Sequence, residues 1–134
     1  MERKKELMYY LWASTIDKQE WDILRHEWKF DLSILDNGVT EKHTLIIKGV
    51  KACTYFYNSM DHMDNLIEPE EGYYLELTTI EDVDYKDCIS LHNEKEKVWL
   101  SYYGSSFNLC LEIWSSVILI NAIEIEIDGE SFKL

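Results

Sequence analysis

The chain contains 134 residues, with 26 acidic and 13 basic side chains, one proline and a formal net charge of −13. This length predicts one domain over residues 1–134 with its own core, and the 46% apolar fraction excludes a disordered chain. No apolar run reaches the roughly 18 residues of a membrane helix, and the short apolar run after the basic start is a poor signal peptide, so no membrane or exported protein is expected.

The first element predicted along the chain is a short amphipathic helix over residues 2–13. Apolar side chains recur there at spacings of three and four, namely Leu7, Met8, Leu11 and Trp12. From Arg25 onward the apolar period becomes two, and Asn37 and Gly38 interrupt the alternation. Because Asn-Gly readily adopts the positive φ angles of a tight hairpin turn, a strand–turn–strand unit is predicted around it.

Strand patterns continue to the end of the chain. They are predicted at residues 52–57, 73–80, 98–103, 108–114 and 117–127, with a further short candidate at 88–91 and a long polar connection at 59–72. Four glycines lie at predicted strand ends: Gly38, Gly49, Gly104 and Gly129. About seven or eight short strands predict a mainly β (α+β) protein, either an antiparallel β-sandwich or a curled barrel, with one short N-terminal helix.

The three cysteines indicate a reducing environment. Cys53, Cys88 and Cys110 are odd in number and far apart in sequence, without a C-x-x-C pair. Such a set in a chain without a signal peptide predicts free thiols in a cytoplasmic protein. Cys53 and Cys110 lie in apolar runs, where a free cysteine usually acts as a small core residue.

The negative charge is concentrated in the later part of the chain. Residues 1–58 are neutral, whereas residues 59–134 carry the entire −13, and the window from 61 to 87 has a net charge of −9. This field disfavours binding to nucleic acid or anionic membranes and attracts a basic protein partner. The alternative is an acidic face that serves solubility. The predicted partner-binding residues are Asp61, Asp64, Glu68, Glu70, Glu71, Glu81, Asp82, Asp84 and Asp87.

Aromatic residues supply a second candidate for partner contacts. On the predicted strand at 98–103, Trp99 and Tyr103 share one face, opposite Val98, Leu100 and Tyr102. Because tyrosine and tryptophan are frequent anchors of protein interfaces, Trp99 and Tyr103 are the predicted aromatic anchors. The alternative is a core that is apolar on both faces of the strand.

No group of residues carries a recognisable catalytic or metal-binding pattern. Asp61, His62 and Asp64 lack the further rigidly held ligands that a metal site needs, and the spacing of Cys88 and His92 does not bring a thiol to a base. Nucleotide-binding and hydrolase motifs are missing as well. No catalytic residue, metal or cofactor is therefore expected, and the protein is expected not to be an enzyme.

Several short segments together resemble a known family. These are residues 24–27, residues 47–50 leading into 55–58, residues 74–80, and a closing strand pair within 109–127. They resemble the YxiG-like family of small bacterial proteins, over about residues 21–127. Several of its members look like companions of secreted polymorphic toxins, so the resemblance implies an immunity protein that binds and blocks a cognate toxin.

Three hypotheses follow from the sequence. The first is a cytoplasmic immunity protein that binds a basic toxin domain, which agrees with the acidic and aromatic character of the chain. The second is a small-ligand binder with aromatics around the mouth of a curled sheet. The third is an enzyme that uses carboxylates or the group at 61–64. Exposed strand edges leave both a monomer and a homodimer open.

Overall fold

Strands dominate the structure, a computed structural model that describes residues 2–57, 75–83, 94–103 and 107–134, with only the backbone at positions 97, 99, 100, 102 and 103. Two helices lie in this part of the chain: α1 (Arg3–Tyr10) and α2 (Glu94–Tyr103). The strands are β1 (Ser14–Asp22), β2 (Glu27–Asp36), β3 (Val39–Lys48), β4 (Ala52–Phe56), β5 (Leu75–Asp82), β6 (Leu109–Ile113), β7 (Ser116–Asn121), β8 (Glu124–Ile127) and β9 (Glu130–Lys133). No helix in the described ranges is long and apolar enough to span a bilayer.

Tight turns of one type join two of the strand pairs. Asn37 and Gly38, with φ angles of 51° and 80°, connect β2 to β3, and Asp128 and Gly129, with 50° and 88°, connect β8 to β9. Two successive positive φ angles match the right-handed twist of the paired strands. The hairpin predicted at Asn37 and Gly38 is therefore confirmed.

The strands form one antiparallel sheet in the order β4-β7-β6-β5-β1-β2-β3-β8-β9. Strands β3 and β4 are consecutive in sequence but six places apart, which would be about 29 Å in a flat sheet. Residues 49–51 join them and span at most about 14 Å from Lys48 to Ala52. Residues 122–123 join β7 to β8, which are also six places apart. The sheet must therefore curl until its two halves face each other.

The two links pack against each other at one corner of the curled sheet. The Ile123 amide donates to the Lys48 carbonyl oxygen (3.0 Å), and the Lys51 amide donates to that of Asn121 (2.7 Å). Gly49, with a φ angle of +66°, lies directly against Ile123. The backbone of one link is thus hydrogen-bonded to residues beside the other link.

Both halves of the sheet and α1 enclose one apolar core. Its buried members include residues from all of these elements: Met8, Leu11, Phe30, Leu32, Leu45, Ile47, Leu77, Ile80, Leu109, Leu111, Ile118, Ile120, Ile125 and Ile127. A smaller cluster of Phe107, Cys110, Val117 and Leu119 lies on the opposite face of β6 and β7. These two strands are therefore buried on both faces, as their continuous apolar sequences require.

The mainly β class is confirmed, and the N-terminal helix lies within the predicted residues 2–13. The described strands belong to one open sheet, so the separate layers of a sandwich are not confirmed. Strands β1 and β9 have no counterpart among the predicted elements. In β1 the side chains from Asp17 to Trp21 are all exposed, and a bulge between Ile16 and Lys18 breaks the alternation that reveals a strand.

The prediction of a strand at residues 98–103 is wrong, because these residues form the second half of α2. The aromatic residues have high strand propensity, but the preceding Glu-Lys-Glu-Lys consists of strong helix formers. Glu94 and Glu96 also lie in the first turn, where negative charge stabilises the helix end. The strand-face argument for Trp99 and Tyr103 therefore fails.

The single strand predicted at residues 117–127 is two strands in different halves of the sheet. Between them, the Asn108 side chain binds the Ala122 backbone twice, from Nδ2 to the carbonyl oxygen (2.8 Å) and from the amide to Oδ1 (3.1 Å). These bonds hold the chain at the point where it leaves β7. Ile125 and Ile127 are buried as their alternation predicts, whereas Ile123 is about half exposed.

Several predictions concern residues outside the described ranges. These are the connection at 59–72, the candidate strand at 88–91 and the strand end at Gly104. The cysteine prediction is confirmed for Cys53 and Cys110, which are free thiols, while Cys88 lies outside.

The contact between the links gives the first test. A Cβ atom at Gly49 would lie 2.7 Å from side-chain carbons of Ile123, whereas one at Gly38 would have no atom within 4 Å. Both positions have positive φ, so both alanine variants share the backbone penalty. We expect Gly49→Ala to lower the free energy of unfolding by about 1–3 kcal/mol more than Gly38→Ala in urea denaturation. Equal losses would contradict the packing of the two links.

Candidate functional site

Two of the nine predicted acidic contact residues, Glu81 and Asp82, lie in the described part of the chain, at the end of β5. The other seven, together with the group at 61–64, lie outside it: Asp61, Asp64, Glu68, Glu70, Glu71, Asp84 and Asp87. Trp99 and Tyr103 lie on the α2 backbone, and their side chains are outside the description. The surroundings of the predicted acidic contact residues can therefore be described at the end of β5.

A surface cleft runs along the edge of β5. Strand β1 pairs with β5 only at residues 75–77, and the turn after α1 covers the edge that follows. There the Ala13 amide donates to the Thr78 carbonyl oxygen (3.2 Å), and the Trp12 indole Nε1 donates to that of Ile80 (3.1 Å). The cleft between the helix and the strand has a volume of about 290 Å³ and is lined by Lys5, Met8, Tyr9, Trp12, Ile80, Glu81 and Asp82.

The cleft combines an apolar floor with an aromatic wall. Met8 and Ile80 are almost completely buried and belong to the main core. The rings of Tyr9 and Trp12 are stacked, with centroids 4.1 Å apart and planes inclined by 22°. Tyr9 is nevertheless 60% exposed. The stacked rings thus expose an aromatic surface to solvent. The hydrogen bond from the Trp12 indole to the Ile80 carbonyl oxygen holds this stack in place.

The carboxylates of Glu81 and Asp82 differ in their surroundings. The Lys4 ammonium lies 2.6 Å from Asp82 Oδ2, so Asp82 has a cation partner. No hydrogen bond or ion pair within the described ranges reaches the Glu81 carboxylate. Burial, and then repulsion from Glu112 and Asp82, raise the pKa of Glu81 above its usual value. Glu81 is therefore a partly desolvated acid that a cation would stabilise.

Strand alternation explains why Glu81 and Glu112 repel each other. Glu81 lies opposite Cys110 across the β5–β6 ladder, and Thr79 lies opposite Glu112. Residues two apart share a face of a sheet, so the two glutamates lie on one face as diagonal neighbours. Asp82 lies opposite Leu109, on the core face that α1 covers. The two adjacent acids at the end of β5 consequently belong to different faces of the sheet.

A second group of polar residues, which no sequence pattern predicted, joins α1 to β3 and the β8–β9 turn. The Tyr10 hydroxyl donates to Glu41 Oε2. His43 lies between two carboxylates, with Nδ1 2.6 Å from Asp128 Oδ2 and Nε2 3.4 Å from Glu41 Oε2. The bond to Glu41 raises the pKa of Tyr10 to about 12. Tyr10, His43 and Asp128 are far apart in sequence, so no spacing could have revealed the group.

This group fastens the helix rather than facing a substrate. Both ring nitrogens of His43 contact protein carboxylates, so neither is directed to an external group. Close by, Arg3 donates to both carboxylate oxygens of Glu130 in β9, at 3.2 and 3.0 Å. Tyr10 and Arg3 thus hold the two ends of α1 against the sheet.

Nucleophilic and metal chemistry find little support in the described part of the chain. Burial raises the pKa of the Cys53 thiol to about 11, which disfavours the reactive thiolate. Cys110 is completely buried. Within the described ranges, no three His, Cys, Asp or Glu residues are arranged to hold a metal ion.

Comparison with known proteins identifies the family. The family described as YxiG-like protein matches residues 4–132, and the chain belongs to this family. No curated protein and no solved structure shows a significant match to it.

The unpaired acid gives the second test. A raised pKa means that the folded state disfavours the charged form of Glu81 at neutral pH, so Glu81→Gln should slightly stabilise the protein at pH 7. The gain should disappear at acidic pH, where the carboxyl group is protonated in both the folded and unfolded states. Thermal denaturation at both pH values measures the difference, with Glu20→Gln, which loses an ion pair to Lys18, as the control. A loss of stability at pH 7 would contradict the repulsion at Glu81.

Proposed function

We propose that this YxiG-like family member is a non-enzymatic cytoplasmic protein that binds a basic protein partner, and that it acts as an immunity protein against a bacterial toxin. The observation that carries the proposal is the Glu81 carboxylate, which is partly desolvated, repelled by Glu112 and Asp82, and without a cation in the described part of the chain. A cationic side chain of a partner would relieve this repulsion.

The charge of the whole molecule supports the same kind of partner. Residues 59–134 carry the entire net charge of −13, and the β5 carboxylates lie within its densest window, from 61 to 87. Such a field accelerates the encounter with a basic surface and repels phosphate backbones. The protein therefore suits recognition of a basic protein better than recognition of nucleic acid.

An immunity role is consistent both with the acidic surface and with the resemblance to the YxiG-like family. Toxin domains that cut nucleic acids need basic grooves to hold the phosphate backbone. An acidic protein can fill such a groove and exclude the substrate without any chemistry of its own. Inhibition of this kind requires carboxylates aimed at a partner and does not require a catalytic group.

A second candidate is a small-ligand-binding protein built on a curled, barrel-like sheet. The filled interior argues against a ligand at the centre, since Phe30, Leu32, Leu45 and Ile47 are fully buried there. The cleft beside β5 favours this candidate, because its volume of about 290 Å³ lies at the lower end for small-molecule sites. A ligand there would contact the aromatic wall of Tyr9 and Trp12.

The third test measures the affinity for a defined protein. Any toxin-domain protein encoded beside this gene is purified, and its binding is measured by calorimetry at about 0.15 M salt. We expect a submicromolar dissociation constant. The double variant Glu81→Gln/Glu112→Gln should weaken binding by about 5- to 30-fold, because two neighbouring negative charges on one face of the sheet are lost.

Matched variants separate a specific contact from overall charge. Glu20→Gln/Glu27→Gln removes the same amount of charge from β1 and β2, outside the acidic window, and should change the affinity less than about twofold. If no toxin-domain protein binds with submicromolar affinity, the proposed function is wrong. If both double variants weaken binding equally, the partner senses only net charge and not the β5 carboxylates.

A further inference from the structure

We propose that the exposed edge of β1 binds the same edge of a second copy of this chain, as antiparallel strands related by a two-fold axis through Gln19. This inference concerns self-association and does not depend on the proposed function. The open strand edge, its self-complementary charges and the exposed Trp21 each support it.

The edge of β1 is paired over only part of its length. Strand β1 pairs with β2 from Thr15 to Asp22, but with β5 only from Ser14 to Ile16. Within the described ranges, no strand lies beside residues 17–22 on the β5 side, and residues 17–21 are all exposed. Alternate backbone N–H and C=O groups of such a strand point away from its one neighbour. This edge can therefore accept a further strand through backbone hydrogen bonds.

Charges of opposite sign alternate across β1 and β2. On the face away from the core, Lys18 lies opposite Asp31, and Glu20 lies opposite Lys29. Lys18 and Glu20 also contact each other along β1, with Nζ 3.1 Å from Oε1, and both side chains are more than half exposed. Opposite charges that face each other across a sheet stabilise the pairing of the strands. This alternation ends at the open edge of β1.

A second copy continues the alternation. Pairing about Gln19 places Lys18 opposite Glu20 of the second copy and, by symmetry, Glu20 opposite Lys18 of the second copy. Both contacts are attractive. A shift of the axis by one residue in either direction would place two Lys18 or two Glu20 side chains opposite each other, which is destabilising. The charges thus favour this register over its neighbours.

Trp21 adds apolar area to the same edge. Its side chain is 45% exposed, although its ring lies against the ring of Trp28, with centroids 4.7 Å apart. In this register Trp21 lies within the paired segment, at each end of the new ladder. Self-association therefore covers part of both exposed indoles, which contributes apolar burial beyond the backbone hydrogen bonds.

The contact is small, so the association is weak and ends at the dimer. The bulge between Ile16 and Lys18 and the pairing of Ile16 with β5 restrict the new ladder to residues 17–21. Such a contact lies at the low end of interface size, and we expect a dissociation constant on the order of 50 µM. Each edge is fully used in one two-fold contact, so no longer chain of copies forms. At a few micromolar protein the chain is monomeric, and Glu20 remains a valid control position in the tests above.

The test measures self-association of the full-length protein by sedimentation velocity from about 5 to 500 µM. Lys18→Glu and Glu20→Lys should each weaken self-association at least about tenfold, because each variant places like charges opposite each other at both contacts. Lys51→Glu makes the same charge change at an exposed residue in the link after β3 and should alter the dissociation constant less than about twofold.

A mixture of the two charge variants separates strand pairing from net charge. In a mixed dimer both glutamates of the Lys18→Glu protein lie opposite lysines of the Glu20→Lys protein. The equimolar mixture should therefore associate at least as tightly as the unmodified protein. In NMR spectra of the unmodified protein, the amide signals of residues 18–21 and the Trp21 indole signal should shift with concentration, whereas the amide signal of Ser131 on β9 should not.

Three results would overturn the proposal. The first is a chain that stays monomeric at the highest concentration. The second is self-association that Lys18→Glu leaves unchanged. The third is a mixture of the two variants that associates no more than either variant alone.

Discussion

The shape of this protein depends on two short links that carry the chain between strands six places apart in the sheet. Residues 49–51 and 122–123 cannot bridge a flat sheet, so they force it to curl, and Gly49 allows the closest approach of one link to Ile123. Curling brings both halves around one core that α1 joins through Met8 and Leu11. Without this constraint the helix would have no concave surface to cover.

The same constraint creates the candidate site. Strand β1 leaves β5 after three paired residues, and the turn after α1, at Trp12 and Ala13, takes its place along the exposed edge. A helix cannot follow a strand edge as closely as another strand does, so a cleft remains between them. The end of β5, with Glu81 and Asp82, lies beside this cleft and within the most acidic window of the chain, from 61 to 87.

Local sequence predicted those features that depend on neighbouring residues. The turn at Asn37 and Gly38 follows from φ preferences, and the burial of Ile125 and Ile127 follows from alternation. Strand β1 was missed because only Ser14 and Ile16 are buried in it, and α2 was misjudged because aromatic strand propensity outweighed the helix formers before it. The division between β7 and β8 depends on Asn108, which is distant in sequence, so no local pattern reveals it. The excess of acidic residues is visible in the sequence. The placement of Glu81 and Asp82 on different faces of the sheet and the exposure of Tyr9 can be seen only in the fold. The three-residue spacing of Tyr9 and Trp12 was the only sequence signal of their contact.

The account depends most on the claim that the acidic surface captures a basic protein. Electrostatic capture acts mainly on the association rate, because the field operates before contact is made. Stopped-flow measurement of association with the basic protein that calorimetry identifies as a partner, at increasing sodium chloride, tests the claim directly. The account predicts an association rate constant that falls by about tenfold or more between 0.05 and 0.5 M salt, with little change in the dissociation rate constant. An association rate constant that does not depend on salt would contradict it.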